Sequence, residues 1–392
     1  MSTRKFIRNM HRWLGISSGL VVFIMAITGC LYAFKDEIQQ ATQAFRFVTA
    51  QDRPFLRPSQ LQTIAQKSLP DKLIHAVKYN GKEKSAEVIF YHNTPTYYFT
   101  VFLNPYDGTI LRVKDMEAGF FHFILDGHFY LWLPPTIGQP IVATATLVFT
   151  ITLLLGLFLW YPKNSAATKQ RFWFRWKKTT QWKRKNYDLH NILGFYVSFF
   201  GFVLAFTGLV WGFPWFASIY YSAWGGEKSL IYQDPIVKKV PPDSTGLQTS
   251  PVDKVWFIMQ TAYPDAKSIE VHPPENDTTA IAANANLENG TFWKTDYRYY
   301  DQYRFNEIPV AHVYGRLKDT KLADKIMRMN YDIHVGAIGG LAGKTLAFLV
   351  SLIIATLPVT GAYIWFGRRN KSQNHCKFEA HKSTANRMES SN

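Results

Sequence analysis

Cysteine is nearly absent: Cys30 and Cys376 are the only two in 392 residues. No disulfide framework can hold the fold, and no paired-cysteine spacing is available for zinc or for covalent attachment of a prosthetic group. A G-x-G-x-x-G fingerprint for a nucleotide cofactor is missing as well. Charge is also missing, but locally. No Asp, Glu, Lys or Arg occurs in Trp13–Phe34, His128–Pro162, Leu189–Gly226 or Thr345–Gly367. Each run can hold the roughly 20 apolar residues that cross a bilayer. Hydrophobic residues make up 47% of the chain and aromatics 16%, which excludes a disordered polymer. The mean hydropathy of −0.12 averages four apolar spans with polar loops.

The net charge of +16 would suggest nucleic acid if it were spread along the chain. It is confined instead to three places. Arg4, Lys5, Arg8 and Arg12 open the chain; residues 161–188 carry nine basic residues and one acid, Asp188; and the tail from Arg368 carries six basic residues and two acids. The two long loops are close to neutral. Basic flanks on alternate ends of four spans follow the positive-inside rule, so the N-terminus, the middle connection and the C-terminus are expected in the cytoplasm and both long loops outside it. No nucleic-acid partner is expected; the partner surface is lipid. Ile27-Thr28-Gly29-Cys30 resembles a lipoprotein-processing signal, but the apolar run before it is longer than a signal core.

A repeat organises the spans. His11-Arg-Trp-Leu14-Gly15 leads to Thr28-Gly29, and His190-Asn-Ile-Leu193-Gly194 leads to Thr207-Gly208, the glycine falling 18 residues after the histidine in both. The second span runs from His128 to Gly156 and Trp160, the fourth from His334 to Gly361 and Trp365. Spans one and two therefore read as duplicated in spans three and four, with one inner and one outer histidine per half. The expected division is 1–36 (N-terminus and first span), 37–127 (first outer module), 128–162 (second span), 163–187 (basic connection), 188–222 (third span), 223–330 (second outer module), 331–367 (fourth span) and 368–392 (tail). In the modules, Pro58–Leu69 and Pro251–Tyr263 read as amphipathic helices. Ala86–Tyr91, Tyr97–Leu103, Ser268–His272, Thr278–Ala283 and Trp293–Arg304 read as strands. Two separate small α+β units are expected, with no nucleophile–base–acid set.

Histidines in spans are costly and usually functional. The matched depths make two facing pairs, His11 with His190 and His128 with His334. His122 is the alternative to His128. Two histidines per level fall short of zinc's four ligands but suit the two axial positions of a b-type haem iron. Gly15 and Gly19 follow His11 on one helical face, and Gly194 and Ser198 follow His190 at the same offsets, so small residues line the faces a flat macrocycle would lie against. Close helix packing is the other use of such residues.

The motifs His11-Arg-Trp-Leu-Gly, His128-x-x-Leu-Trp-Leu-Pro, Asp188-Leu-His190, Tyr331-Asp-Ile-His334 and Thr360-Gly-x-Tyr-x-Trp365 resemble the PepSY-associated transmembrane family. That family includes di-haem ferric-siderophore reductases of the bacterial inner membrane. The resemblance covers about residues 5–370. It implies a four-helix transmembrane bundle with two extracytoplasmic PepSY-like α+β modules, two b-type haems at the four histidines, and a ferric siderophore or other ferric chelate as acceptor. The chain departs from the family pattern at Phe129, where an arginine commonly follows the second-span histidine. The expected function is electron transfer outward across the inner membrane, the donor being a quinol or a cytoplasmic reductase. The competing readings are a membrane-anchored PepSY sensor or protease inhibitor, which needs no histidine pairs, and a haem or iron transporter.

Overall fold

The computed structural model describes residues 2–162, 168, 171–239 and 250–389, with side chains to residue 367. Part of the basic connection 163–187 and the tail side chains lie outside the described residues. The chain divides into two compact units. One comprises residues 1–33, 124–213 and 345–392, the other residues 34–123 and 214–344.

The first unit is helical. Among the described residues, four helices are long and apolar enough to cross a membrane: Thr3–Thr42, Pro135–Trp160, Trp182–Gly212 and Ala337–Gly367. Val22 and Ala26 of span one, Val197 of span three, and Val350, Ile354 and Ala355 of span four form a shared buried cluster, with Phe149 of span two packed against it. Cys30 is buried here, its thiol donating to the Phe348 carbonyl at 3.4 Å.

The span boundaries differ from the sequence reading for local reasons. The histidine-bearing segment expected to start span two is a separate helix, Phe120–Tyr130. Leu131 and Trp132 take left-handed φ of 55° and 58°. Pro134 and Pro135 follow, lacking N–H donors, and a new helix starts at Pro135. Span three ends at Gly212, and Pro214 opens a further helix, Pro214–Ala223, rather than continuing to residue 222. The helix Asn330–His334 likewise ends before span four, where Gly336 and Gly340 take φ of 77° and 58°. Gly336 permits no side chain: an added Cβ would lie 2.3 Å from the Gly343 carbonyl oxygen.

The second unit corrects the expectation of two separate modules. Its strands are β1 (Ile74–Tyr79), β2 (Ala86–Asn93), β3 (Thr96–Leu103), β4 (Ile110–Asp115), β5 (Ser268–His272), β6 (Ile281–Asn286) and β7 (Thr295–Tyr300). They form one seven-stranded antiparallel sheet in the order β4-β3-β2-β1-β5-β6-β7. The two long loops thus share a backbone seam, with Val77 of β1 opposite Val271 of β5. Leu61 and Ala65 of helix Pro58–Gln66, and Val255, Trp256 and Met259 of helix Pro251–Ala262, cover the same core as Val77, Val88, Val101 and Val271. Burying each such side chain contributes about 1.5–3 kcal/mol. Asp253 ties the two helix starts together, accepting from the Ser59 N–H at 2.8 Å and the Ser59 hydroxyl at 2.6 Å.

Beside the seam, Glu270 accepts from His272 at 3.2 Å and pairs with Lys78 at 3.6 Å, and the His272 ring meets that of His75. Burial alone would raise the Glu270 carboxyl. The His272 hydrogen bond and the Lys78 charge outweigh it and hold the group at about 2. A depressed carboxylate stabilises fully above its unfolded value of about 4.3 and less as pH falls through that value. Burial and the neighbouring His272 lower His75, so it adds stability above about 6.5 that is lost on acidification. Thermal unfolding of the sheet, followed by circular dichroism, should therefore weaken steadily from pH 7 to pH 3. Glu270→Gln should be less stable at pH 7 and flatter below pH 5. A variant as steep as the native protein there would refute the linkage.

Candidate functional site

The strongest constellation in the helical unit is His11 with His190. Their ring centres lie 6.3 Å apart with planes at 82°. His11 stands in span one, and His190 in a π-helical turn, Leu189–Leu193, that interrupts span three. Such turns change the direction of a side chain by inserting one residue into the helical ladder.

The hydrogen bonds fix which nitrogen carries the proton. His11 Nδ1 lies 3.0 Å from the Thr152 carbonyl, which can only accept, so Nδ1 is the protonated nitrogen and Nε2 keeps its lone pair. His190 Nδ1 lies 2.9 Å from Thr360 Oγ1. That hydroxyl already donates to the Thr356 carbonyl at 2.8 Å, so it accepts from His190. His128 repeats the arrangement with the Met25 carbonyl at 2.9 Å and Thr28 Oγ1 at 3.1 Å. Hydrogen bonding of one ring nitrogen to orient the other is what a metal-ligating histidine requires.

Glycine makes each approach feasible. A side chain four residues ahead shields a helical carbonyl, and glycine removes that shield. An added Cβ would lie 3.1 Å from His11 Cε1 at Gly156, 3.2 Å from His190 Cε1 at Gly361 and 3.4 Å from His128 Cε1 at Gly29. Thus His11 and His190 each rest on a glycine near the C-terminal end of the following span, and His128, from the helix before span two, on one near the end of span one. The sequence shows the spacing; that the glycine serves a neighbour's histidine emerges only from packing.

His334 closes the helix Asn330–His334 in the sheet-containing unit. Two residues before it, buried Asp332 accepts the backbone N–H groups of Phe292 and Trp293 at 2.9 and 2.8 Å. Asp188, two residues before His190, accepts from Arg184 and Trp176. Asp126 precedes His128 at the same offset. This D-x-H spacing is a sequence signal for the histidine-bearing turns that the histidine spacing alone does not reveal.

His122 shares the helix Phe120–Tyr130 with His128 but belongs to the other unit; six positions apart, the two cannot share a helical face. The small residues meet neighbouring helices: a Cβ at Gly15 would lie 3.8 Å from Thr152, at Gly19 3.3 Å from Pro358, and at Gly194 3.6 Å from Leu357. The Ser198 hydroxyl donates to the Phe195 carbonyl at 2.7 Å. Among the described residues, no group of three or more His, Cys, Asp and Glu side chains could hold a metal ion. The His11 and His190 rings, 6.3 Å apart, each keep an Nε2 lone pair, so the pair could supply two nitrogen ligands to a metal whose remaining ligands come from elsewhere.

Fold and site define a class: a four-span membrane protein with a histidine-bearing helical unit and a sheet built from its two long loops. The PepSY-associated TM region profile matches residues 8–368. The chain belongs to that family. A search of curated proteins finds no match to it.

Proposed function

We propose that this protein is a b-type di-haem electron-transfer protein of the bacterial inner membrane that reduces a ferric chelate, such as a ferric siderophore, on the outer side. The observation that carries the reading is the His11–His190 pair, 6.3 Å between ring centres, with each Nδ1 engaged on a neighbouring helix. These two residues would hold the inner haem, and His128, whose ring is oriented in the same way, would serve the second. Haem supplies a one-electron redox couple when bound. The chain's own work is to orient the imidazoles through Thr152, Thr360 and Met25. Gly15, Gly19, Gly194 and Ser198 would keep the flanking faces narrow, and apolar helices would exclude water.

The equivalent histidine cradles support an internal duplication of a two-span unit. The charge distribution supports both termini in the cytoplasm and both loops outside it, as two PepSY-like modules joined edge to edge. An anchor for a sensor or protease inhibitor has no use for facing histidines. A haem or iron transporter fits less well with the dry, apolar cluster shared by spans one, three and four.

The test is to reduce the purified protein anaerobically and add a ferric siderophore together with a ferrous-specific chelator. The haem bands should return to the oxidised form, with about two ferrous ions captured per chain, one per haem. Bands that stay reduced across a panel of ferric siderophores would overturn the substrate assignment.

A further inference from the structure

We infer that a cleft between spans three and four, beside His190, binds the ring of a lipid-soluble quinol, the electron donor to the His11–His190 end. This rests on the proposed electron-transfer function and deepens it. The cleft is an open groove of about 520 Å³ between Trp182, Asn186 and Leu189 of span three and Val359, Tyr363 and Phe366 of span four. That volume lies within the usual range of small-molecule sites.

Three observations select the occupant. None of the lining residues is acidic or basic, so the ligand is neutral. Val359, Tyr363, Phe366 and Trp182 are all exposed although they stand on membrane-crossing helices. The mouth therefore faces lipid, and the ligand arrives through the bilayer. Finally, polar groups interrupt the apolar wall. The Asn186 amide donates to the Thr360 carbonyl at 3.0 Å, which leaves its side-chain oxygen to accept, and Tyr363 and Trp182, residues that carry an O–H and an N–H, are among the lining. A quinol has this pattern of two ring hydroxyls on an apolar body.

The position gives the cleft its purpose. Thr360 lines it and also accepts the His190 Nδ1–H, so one residue separates the ligand from the redox pair. The π-helical turn Leu189–Leu193 supplies both His190 and two of the cleft's leucines. On oxidation the quinol breaks two O–H bonds and becomes the quinone. Its two protons would pass to water and its two electrons to two one-electron acceptors, the redox groups that the histidines would hold.

The experiment irradiates full-length protein in nanodiscs with an azido-quinone and maps the labelled peptides. Label should appear in residues 182–193 or 356–366. Excess unmodified quinone should suppress it, and Val359→Trp, which fills the cleft, should lower it about tenfold. The dithionite-reduced spectrum of Val359→Trp, compared with native, shows whether the variant folds. Label confined to other segments, or a co-purified acyl chain that quinone cannot displace, would overturn the site. Labelling of these peptides in protein that carries no haem would uphold the quinone site while removing the electron-transfer reading. The two hypotheses therefore fail separately.

Discussion

His11→Ala should abolish one of two haem signals and halve the haem recovered per chain. His190→Ala should remove the same signal, and the double substitution should remove little more. The reason is geometric: the two rings lie 6.3 Å between centres, and loss of either would break the proposed bis-imidazole site. His128→Ala should remove the other signal and leave this one intact, because its ring is held against span one by Met25 and Thr28. Absorption and paramagnetic resonance spectra of purified variants read both outcomes. If His11→Ala and His190→Ala removed different signals, the pairing would be wrong. If His122→Ala removed the second signal while His128→Ala spared it, the outer ligand would be His122.

The second large effect is expected at glycines that bear no functional group. Gly156→Val and Gly361→Val should each reproduce the spectroscopic loss of His11→Ala, although neither residue can ligate anything. A Cβ at either site would lie 3.1 or 3.2 Å from the histidine ring, and two further methyl groups would occupy the ring's place. Overpacking of this kind typically costs about 1–3 kcal/mol, which a helical bundle can survive while a ligand geometry cannot. Alanine at the same positions should give an intermediate loss, since the single carbon asks the ring to give only a few tenths of an ångström. Haem content and thermal stability measured together separate the cases. A valine variant with native haem spectra would show that the glycines serve helix contact alone.

Much of this was legible in the sequence because membrane spans announce themselves by the absence of charge. The helices Pro58–Gln66 and Pro251–Ala262 and strands β2, β3 and β5 fell close to their expected places for a comparable reason, a clear apolar period. Strand β1 escaped notice because Ile74–Tyr79 mixes histidine and lysine into a short run and carries a register shift between Ile74 and Ala76. Span two starts at Pro135, later than its apolar run suggests, because such a run does not reveal two consecutive left-handed residues, Leu131 and Trp132. The joining of the two loops into one sheet was out of reach altogether. Pairing Val77 with Val271 is a long-range choice for which no local pattern speaks. Within the site, the histidines stood out by type and spacing. Their proton positions depend on carbonyls contributed by other helices, at Met25 and Thr152, and backbone acceptors leave no trace in residue identity.

The seam between β1 and β5 also sets an order of events during synthesis. Strands β1 to β4 are consecutive neighbours and can close as soon as the first long loop is made. The outer edge of β1 then waits for a partner roughly 190 residues further along, about 10–40 s at ordinary translation rates. An unpaired edge is a template for wrong pairing. This one carries Lys78 in the middle of the Val77–Tyr79 stretch that pairs with β5, a charge that discourages capture by a foreign strand. When β5 arrives, Glu270 meets that lysine, and the charge that guarded the nascent edge becomes part of the finished sheet.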